Sequence, residues 1–227
     1  MARDRTFNTL FMLTSVDGKI STGDVDERDF DKDFPHIKGL KEGVYQYYDL
    51  EKKTDIHSFN TGKVLAKIGI NNVQKMKKMP VSFIIVDNNH LTSVGVDNLI
   101  QRSKRLYIVT NNKNHPAFKR KEELTLLYYP TRVDFADLFL RLRKEFDVKR
   151  VTIQSGGLMN SILLRENLID RLSIVIAPCA IGGSETPTLV DGDSLRSLAD
   201  LKKIKTLKLL KVSRLKKSYI HVVYEVV

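Results

Sequence analysis

The chain has 227 residues, a hydrophobic fraction of 42% and a formal net charge of +11. This length and composition suit a globular protein with a substantial core and argue against intrinsic disorder. No apolar run approaches the roughly 20 residues that cross a membrane, and the N-terminal segment lacks the apolar centre of a signal peptide. The lone cysteine, Cys179, excludes an internal disulfide and a cysteine metal cluster. We therefore expect a cytoplasmic enzyme or binding protein.

The positive charge is concentrated near the C-terminus, where eight Lys or Arg and no acid lie between Leu201 and Ser218. An excess of basic residues favours anionic partners, from nucleic acids to phosphorylated small molecules. Nucleic-acid binding normally interleaves aromatic residues with the basic ones, and only Tyr219 lies close. A solvated surface is the favoured interpretation. A basic module that binds nucleotides or nucleic acid is the alternative from a different class.

Strand patterns recur along the chain as short runs rich in β-branched residues, bounded by Asn, Asp, Gly or Pro. They predict strands at 6–13, 81–87, 105–110, 124–129, 150–154, 172–178, 206–212 and 219–227. Several are continuously apolar, as expected for strands covered on both faces. The short link 213–218 joins the last two and indicates an antiparallel hairpin.

Helical patterns separate several of these strands. The clearest is 135–146, with apolar residues spaced along one face and Asp134 in the N-cap position. A second helix is predicted over 158–166 with Asn167 as its C-cap, and a third over 37–53. The alternation predicts one α/β domain over 1–227, with a mixed sheet that is mostly parallel at its centre.

A glycine pair follows the strand in "VTIQSGGLMN" (151–160), where the helical pattern begins. The first N–H groups of a helix lack partners, and together with the helix dipole they can bind an anion. Glycine lets a phosphate approach this backbone without a Cβ in the way. The pattern is not GxGxxG, and a simple turn explains two adjacent glycines equally well.

Two further stretches have turn chemistry of the same kind. "SVDGKIST" (15–22) follows the first strand and contains an Asp-Gly turn beside Lys19. "NTGKVLAKIGIN" (60–71) places Gly62 and Lys63 before a short helix-like piece, without the spacing of a phosphate-binding P-loop. The histidines have no metal-ligand spacing, and Cys179 is interpreted as a small buried hydrophobe.

Although each stretch is ordinary alone, their order is not. SVDGKIS, TGKV, the strand-GG-helix unit and "LIDRLSIVIAPCAIGGSETPTL" (168–189) together resemble the riboflavin-biosynthesis reductase family. This family forms the C-terminal domain of the bacterial bifunctional deaminase–reductase. The resemblance extends over nearly the whole chain and implies a dihydrofolate-reductase-like fold with helices on both faces of the sheet. It also implies a homodimer.

The resemblance further implies an NADPH-dependent reductase and assigns residues to its site. The cofactor-binding residues would be Gly62, Lys63, Val64, Asn88, Gly156, Gly157, Leu158 and Met159. The last four would line the diphosphate, and Lys63 would face the adenosine 2′-phosphate. Asp17 and Lys19 would be catalytic, in a loop beside the nicotinamide, and the substrate would contact Ser15, Gly18 and Ser155.

Two departures from the family pattern bear on the substrate. Ser155 stands where the family has the glutamate of its E-G-G motif, and Gly69 stands near the acid of its D-x-P segment. The expected oxidoreductase transfers a hydride to a C=N or C=O group of a pyrimidine, pterin or related small molecule. The riboflavin-pathway reductase, which acts on 5-amino-6-(5-phosphoribosylamino)uracil or its 2,5-diamino counterpart, is the alternative within the same class. Water, Asp17 or Lys19 could deliver the proton.

Overall fold

The computed structural model describes residues 4–227, which form two compact units that alternate along the chain. The first unit comprises residues 4–7 and 55–155, and the second comprises residues 8–54 and 156–227. Because the chain passes repeatedly from one unit to the other, each unit is assembled from segments distant in sequence.

The elements are numbered in chain order. The strands are β1 (Phe7–Thr14), β2 (His57–Thr61), β3 (Ser82–Val86), β4 (Leu106–Thr110), β5 (Thr125–Tyr128), β6 (Arg150–Ile153), β7 (Arg171–Ile176), β8 (Leu207–Arg214) and β9 (Ile220–Val226). The α-helices are α1 (Phe30–Asp33), α2 (Tyr45–Glu51), α3 (Gly62–Lys67), α4 (Ser93–Arg102), α5 (Phe135–Phe146) and α6 (Gly157–Arg165). Short 3₁₀ helices cover Phe34–His36, Pro116–Arg120, Leu198–Lys203 and Lys216–Ser218.

The first unit is built on five parallel strands in the order β5-β4-β3-β2-β6. Phe59, Ile84 and Tyr107 lie in register across three of them, so they share one face. Helix α5 packs on this face, with the rings of Phe59 and Phe139 5.7 Å apart. On the opposite face Ile85 belongs to an apolar cluster with Val96 and Leu99 of α4. Both faces of these strands are therefore buried, as a parallel sheet requires.

Helix α5 forms where its sequence pattern predicts it. The side chain of Asp134 accepts a hydrogen bond from the backbone N–H of Asp137 at 3.0 Å and caps the helix. Four apolar residues of one stripe are buried, namely Phe135, Leu138, Phe139 and Leu142. Asp147, which ends the helix, adopts a left-handed conformation with φ 51°.

The second unit combines a parallel pair with an antiparallel hairpin, in the order β1-β7-β9-β8. Phe11 of β1 stacks on Tyr47 of α2 with ring centroids 5.0 Å apart, within a cluster that also contains Val175 and Tyr219. Cys179 packs partly buried against this cluster, and burial raises the pKa of its thiol. Its environment agrees with a packing role.

The predicted fold class is confirmed: the protein is α/β, its sheet is mixed and mostly parallel, and β8 and β9 form an antiparallel hairpin. All eight predicted strands exist. The sequence analysis missed β2, which contains a single large apolar residue, Phe59, within "HSFNT". It also missed α4, which is capped by Thr92.

The predicted helix over 37–53 is wrong for most of its length. Only Tyr45–Glu51 is α-helical, and Gly39 has a φ of +91°, a left-handed conformation that a regular helix does not accommodate. The helix predicted over 158–166 exists as α6, but its C-cap is Glu166. Asn167 follows the cap with a φ of 58°. None of the helices in residues 4–227 has the length and apolar character to span a bilayer.

Candidate functional site

Polar residues in the first unit gather where β2, β3 and β4 end. Parallel strands place their carboxyl ends at one edge of a sheet, which is where open α/β sheets bind ligands. Gly62 directly follows β2, while Asp87 and Asn88 directly follow β3. This edge is named here the carboxyl edge of the first unit.

The carboxylate of Asp87 is buried at this edge and accepts several hydrogen bonds. Its donors are the backbone N–H groups of His90 and Leu91 and the ring nitrogens of His90 and His115, at 2.9–3.2 Å. Burial acts to raise the pKa of Asp87, but the hydrogen bonds from His115, Leu91 and His90 outweigh it and lower the pKa. Asp87 is therefore an ionised carboxylate whose oxygens are occupied by the protein itself.

The Asp87 carboxylate leaves no space for a side chain at Gly62. A Cβ on Gly62 would lie 2.2 Å from Oδ1 of Asp87, so only glycine allows the end of β2 to approach the end of β3 this closely. The side chain of Thr61 caps α3 by accepting a hydrogen bond from the N–H of Val64 at 3.5 Å. Lys63 is exposed beside Gly62 and makes no ion pair in the described part of the chain.

Asn88 is a structural link between neighbouring loops. Its side-chain oxygen accepts hydrogen bonds from the Thr110 hydroxyl at 3.2 Å and the Asn111 N–H at 2.9 Å. Its backbone carbonyl accepts one from Asn112 at 2.6 Å. The side-chain oxygen of Asn88 is thus engaged, which leaves its amide nitrogen as the group that can contact a ligand.

In the second unit, helix α6 begins with an open N-terminus. The N-cap residue, Gly156, has φ −71° and supplies no side chain, and nothing lies within 4 Å of the position where its Cβ would be. The backbone N–H groups of Leu158 and Met159 find no hydrogen-bond partner among residues 4–227. Leu158 is 64% exposed. These N–H groups and the dipole of a nine-residue helix can attract an anion, and the sequence analysis predicts the cofactor diphosphate here.

Gly157 has a different role from its neighbour. A Cβ on Gly157 would lie 2.3 Å from the carbonyl oxygen of Thr188 and 2.2 Å from a carboxylate oxygen of Asp191. The N–H of Asp191 also donates to the carbonyl of Gly157 at 3.1 Å. This glycine is required by packing against residues 188–191, a reason that the sequence analysis did not supply.

The loop after β1 is held by the Asp17 carboxylate. Asp17 accepts hydrogen bonds from the Ser15 hydroxyl at 2.5 Å, the N–H of Gly182 at 2.7 Å and the N–H of Ile181 at 3.1 Å. These bonds, above all those from Ser15 and Gly182, lower the pKa of Asp17 to about 2. Gly18 makes the predicted turn with φ +78°. Asp17 is therefore ionised near neutral pH.

Lys19 contacts the same neighbouring loop. Its ammonium group donates to the carbonyl of Gly183 at 2.6 Å and to that of Thr186 at 2.9 Å, and the residue is 9% exposed. Gly183 itself adopts a left-handed conformation with φ +82°. Asp17 and Lys19 together therefore fix the shape of the loop 181–186.

Residues 187–191 join this loop to the start of α6. The N–H of Leu189 donates to the carbonyl of Gly18 at 2.9 Å, and its carbonyl accepts a hydrogen bond from the side chain of Asn160 at 2.8 Å. With the contact between Gly157 and Asp191, the structure brings the 15–19 loop and the α6 N-terminus into one neighbourhood. Gly62, Lys63, Val64, Asn88 and Ser155 belong to the first unit, where Ser155 is buried.

Sequence reasoning missed three residues that shape these sites: Asp87, His90 and Asp191. Asp87 had a usable signal, since a carboxylate that ends an apolar strand at a carboxyl edge commonly has a role there. Asp191 had none, because its partner Gly157 lies 34 positions earlier in the chain. No group of His, Cys, Asp or Glu side chains within residues 4–227 is arranged to hold a metal ion.

A comparison with known proteins identifies the protein family to which the chain belongs. The family model described as the RibD C-terminal domain matches residues 6–220, which is almost the whole chain. The protein therefore belongs to the RibD C-terminal domain family, in agreement with the resemblance seen in its motifs.

Two curated archaeal relatives have the name 2,5-diamino-6-ribosylamino-4(3H)-pyrimidinone 5′-phosphate reductase. The one from Methanothermobacter thermautotrophicus is 27% identical over 128 residues, which cover 56% of this chain and 54% of the relative. The one from Archaeoglobus fulgidus is 34% identical over 73 residues, which cover 32% of this chain and 33% of the relative. The chain thus spans about half, or less, of the length of these relatives.

Solved structures agree on the fold. Acinetobacter baumannii RibD superimposes with a TM-score of 0.70 at 16% identity, over 100% of this chain and 60% of that one. The Saccharomyces cerevisiae riboflavin biosynthesis reductase Rib7 superimposes with a TM-score of 0.63 at 17% identity, over 100% of this chain and 92% of that one.

The two glycines at the start of α6 are expected to respond differently to the same substitution. Gly157→Ala places a methyl group on Thr188 and Asp191, and we expect it to lower the free energy of unfolding by ~1–3 kcal/mol. The methyl group of Gly156→Ala would lie in open space, and the φ of this residue suits alanine. This variant should change the free energy of unfolding by less than about 0.5 kcal/mol. Urea denaturation of both variants measures this, and equal effects would contradict the packing role of Gly157.

Proposed function

We propose that this protein is a nicotinamide-dependent reductase that uses NADPH to reduce a phosphorylated pyrimidine of riboflavin biosynthesis. Its membership of the RibD C-terminal domain family supports the reductase activity. The open N-terminus of α6, beside the 15–19 loop, is the observation that carries the cofactor assignment. The names of the archaeal relatives support the pyrimidine substrate.

The residues at the start of α6 suit the diphosphate of a dinucleotide. Two N–H groups without partners, those of Leu158 and Met159, are directed outward from the first turn, as they must be at a helix start. The absence of a Cβ at Gly156 leaves room for a phosphate oxygen within hydrogen-bonding distance. The net charge of +11 further favours an anionic ligand.

When bound, NADPH would supply a hydride and leave the protein to provide position and a proton. Reduction of a C=N or C=O group adds that hydride to carbon and one proton to nitrogen or oxygen. Asp17 and Lys19 hold the loop 181–186 in one shape and so define one wall of the second-unit site. With Asp17 ionised, the proton comes from water or from the ammonium group of Lys19.

Ser155 stands where the resemblance implies a glutamate, and the residue is buried. The sequence analysis therefore kept a pterin or related substrate open, whereas the relatives' names favour the riboflavin-pathway pyrimidine. We propose the latter as the substrate.

We propose that the protein assembles as a homodimer through one face of the hairpin β8–β9. Cross-strand pairs place Leu209 opposite Tyr224 and Val212 opposite Val222, so these four side chains share a face. Leu209 is 52% and Val212 is 60% exposed. An exposed apolar sheet face of this kind is typical of an interface, and the family resemblance implies a second copy as its partner.

The proposed function makes a prediction about the cofactor. The wild-type protein should bind NADPH in the sub-millimolar range, and Gly156→Val should weaken binding about tenfold to a hundredfold because it blocks charge-assisted hydrogen bonds worth ~1.5–3 kcal/mol. Nicotinamide fluorescence during titration measures the affinity. Ala136→Val, in the exposed first turn of α5, is the matched control and should bind normally. Failure of wild-type protein to bind either NADPH or NADH would exclude the proposed function.

A second prediction concerns the substrate. The gene should restore growth without riboflavin to an auxotroph that lacks only the reductase step, since the protein would supply the missing reduction. The purified protein should also consume NADPH when 2,5-diamino-6-ribosylamino-4(3H)-pyrimidinone 5′-phosphate is added. NADPH binding without complementation or turnover would favour a different substrate.

A third prediction concerns assembly. Val212→Glu places a charge on the apolar face and should convert a dimer into a monomer, because a buried unpaired charge is costly. Lys211→Glu introduces the same side chain at the adjacent position, whose strand partner Val223 lies on the other face, and should leave the dimer intact. Light scattering gives the mass of each variant. A monomeric wild-type protein would disprove the dimer.

A further inference from the structure

A 3₁₀ helix before the last hairpin presents its apolar residues to solvent. It spans Leu198–Lys203, and none of its 6 residues is buried. Leu198 is 87% exposed, Leu201 is 51% exposed, and Ile204, which ends the helix, is 57% exposed. Because a 3₁₀ helix has three residues per turn, side chains spaced three apart lie on one face. Leu198, Leu201 and Ile204 therefore form one exposed apolar ridge, named here the 198–204 ridge.

The helix beneath this ridge is held by specific hydrogen bonds. The Asp200 carboxylate accepts them from the backbone N–H of Ser197 at 3.0 Å and from its hydroxyl at 2.8 Å. The same carboxylate accepts a hydrogen bond from the ammonium group of Lys203 at 2.6 Å. The ridge is thus preformed, and little conformational freedom of the backbone is lost when a partner covers it.

Lysine side chains lie beside the ridge. Lys202 and Lys205 are three residues apart, so they share a neighbouring face, and neither makes an ion pair within residues 4–227. The one acid of this helix, Asp200, is occupied by the hydrogen bonds described above. The positive charge continues along β8 and the turn after it, in Lys208, Lys211, Arg214, Lys216 and Lys217. The 198–204 ridge is therefore an apolar strip beside a cationic surface.

This combination fits the surface of a membrane that contains anionic lipids. Interfacial segments insert large apolar side chains below the lipid headgroups, while basic side chains contact the phosphates. Each lysine near an anionic lipid surface strengthens the attraction, and salt weakens this electrostatic contribution. Apolar and cationic side chains are needed together, and the ridge with its lysines provides both.

A nucleic acid and a second copy of the chain fit the same surface less well. Single-stranded nucleic acids stack their bases on aromatic rings, and the nearest aromatic residue along the chain, Tyr219, is buried. Three large aliphatic side chains also have no counterpart on a phosphate backbone. In a two-fold dimer the same surface patch of both subunits forms the contact, so a contact through the ridge would bring the lysines of both copies together.

We propose that the 198–204 ridge binds anionic membrane surfaces, and that Lys202 and Lys205 provide its preference for negative charge. The contact holds the protein at a lipid surface through side chains that enter only the headgroup region. The inference goes beyond the proposed function and does not depend on it. No residue of the ridge belongs to the candidate cofactor and substrate sites or to the hairpin face proposed for the dimer.

Co-sedimentation with lipid vesicles tests this inference. Wild-type protein should bind vesicles that contain phosphatidylglycerol at least about tenfold more tightly than vesicles of phosphatidylcholine alone. Raising the salt concentration from ~0.1 M to ~0.5 M should remove most of this difference. Leu198→Ser should weaken binding to the anionic vesicles about tenfold, because it removes the most exposed apolar side chain of the ridge. Lys202→Glu should weaken it about fivefold.

Matched variants outside the ridge serve as controls. Val25→Ser removes an apolar side chain that is also exposed, and Lys144→Glu makes the same change of charge on α5, so both should bind as the wild type does. Circular dichroism should be unchanged in all four variants, because each replaced side chain is exposed. Absence of binding to anionic vesicles, or equal binding to both kinds of vesicle, would overturn the inference. Conversion of a dimer into a monomer by Leu198→Ser would overturn it too, since the ridge would then contact a second copy.

Discussion

The buried carboxylate of Asp87 is the interaction on which the carboxyl edge of the first unit depends. An ionised group buried among apolar strands is tolerated only when hydrogen bonds replace its hydration, and here backbone N–H groups and two histidines supply them. The same carboxylate occupies the space that a Cβ would need at position 62, so only glycine fits there. The Asp87 carboxylate thus connects the ends of β2 and β3 and orients His90.

The second unit is organised by a related constraint. Asp17 and Lys19 bind the loop 181–186 through its backbone N–H and carbonyl groups. Residues 187–191 follow this loop and pack against Gly157. Side chains that saturate backbone groups of a neighbouring loop give it one conformation. In the proposed function, these two residues would shape the site, and the cofactor would supply the hydride.

Much of the architecture could be predicted from the sequence because it follows from local patterns. The stripe of α5, its Asp134 cap and the apolar strands are encoded within a few residues, and each appears as expected. Strand β2 escaped prediction because its one large apolar residue, Phe59, gives no periodicity. The helix over 37–53 failed because tertiary packing and the left-handed Gly39 decided that segment.

Some features of the candidate site could likewise be predicted from the sequence, whereas others depend on the tertiary structure. The sequence by itself determined that a glycine pair opens a helix after a strand, and that Asp17 and Lys19 occupy a turn, since these are properties of neighbouring residues. The order of its motifs also determined the family. Only the tertiary structure decided that Gly157 serves packing while Gly156 remains open, because Asp191 approaches from a distant segment. It alone placed His90 against Asp87 and lowered the pKa of Asp17, since both depend on hydrogen bonds.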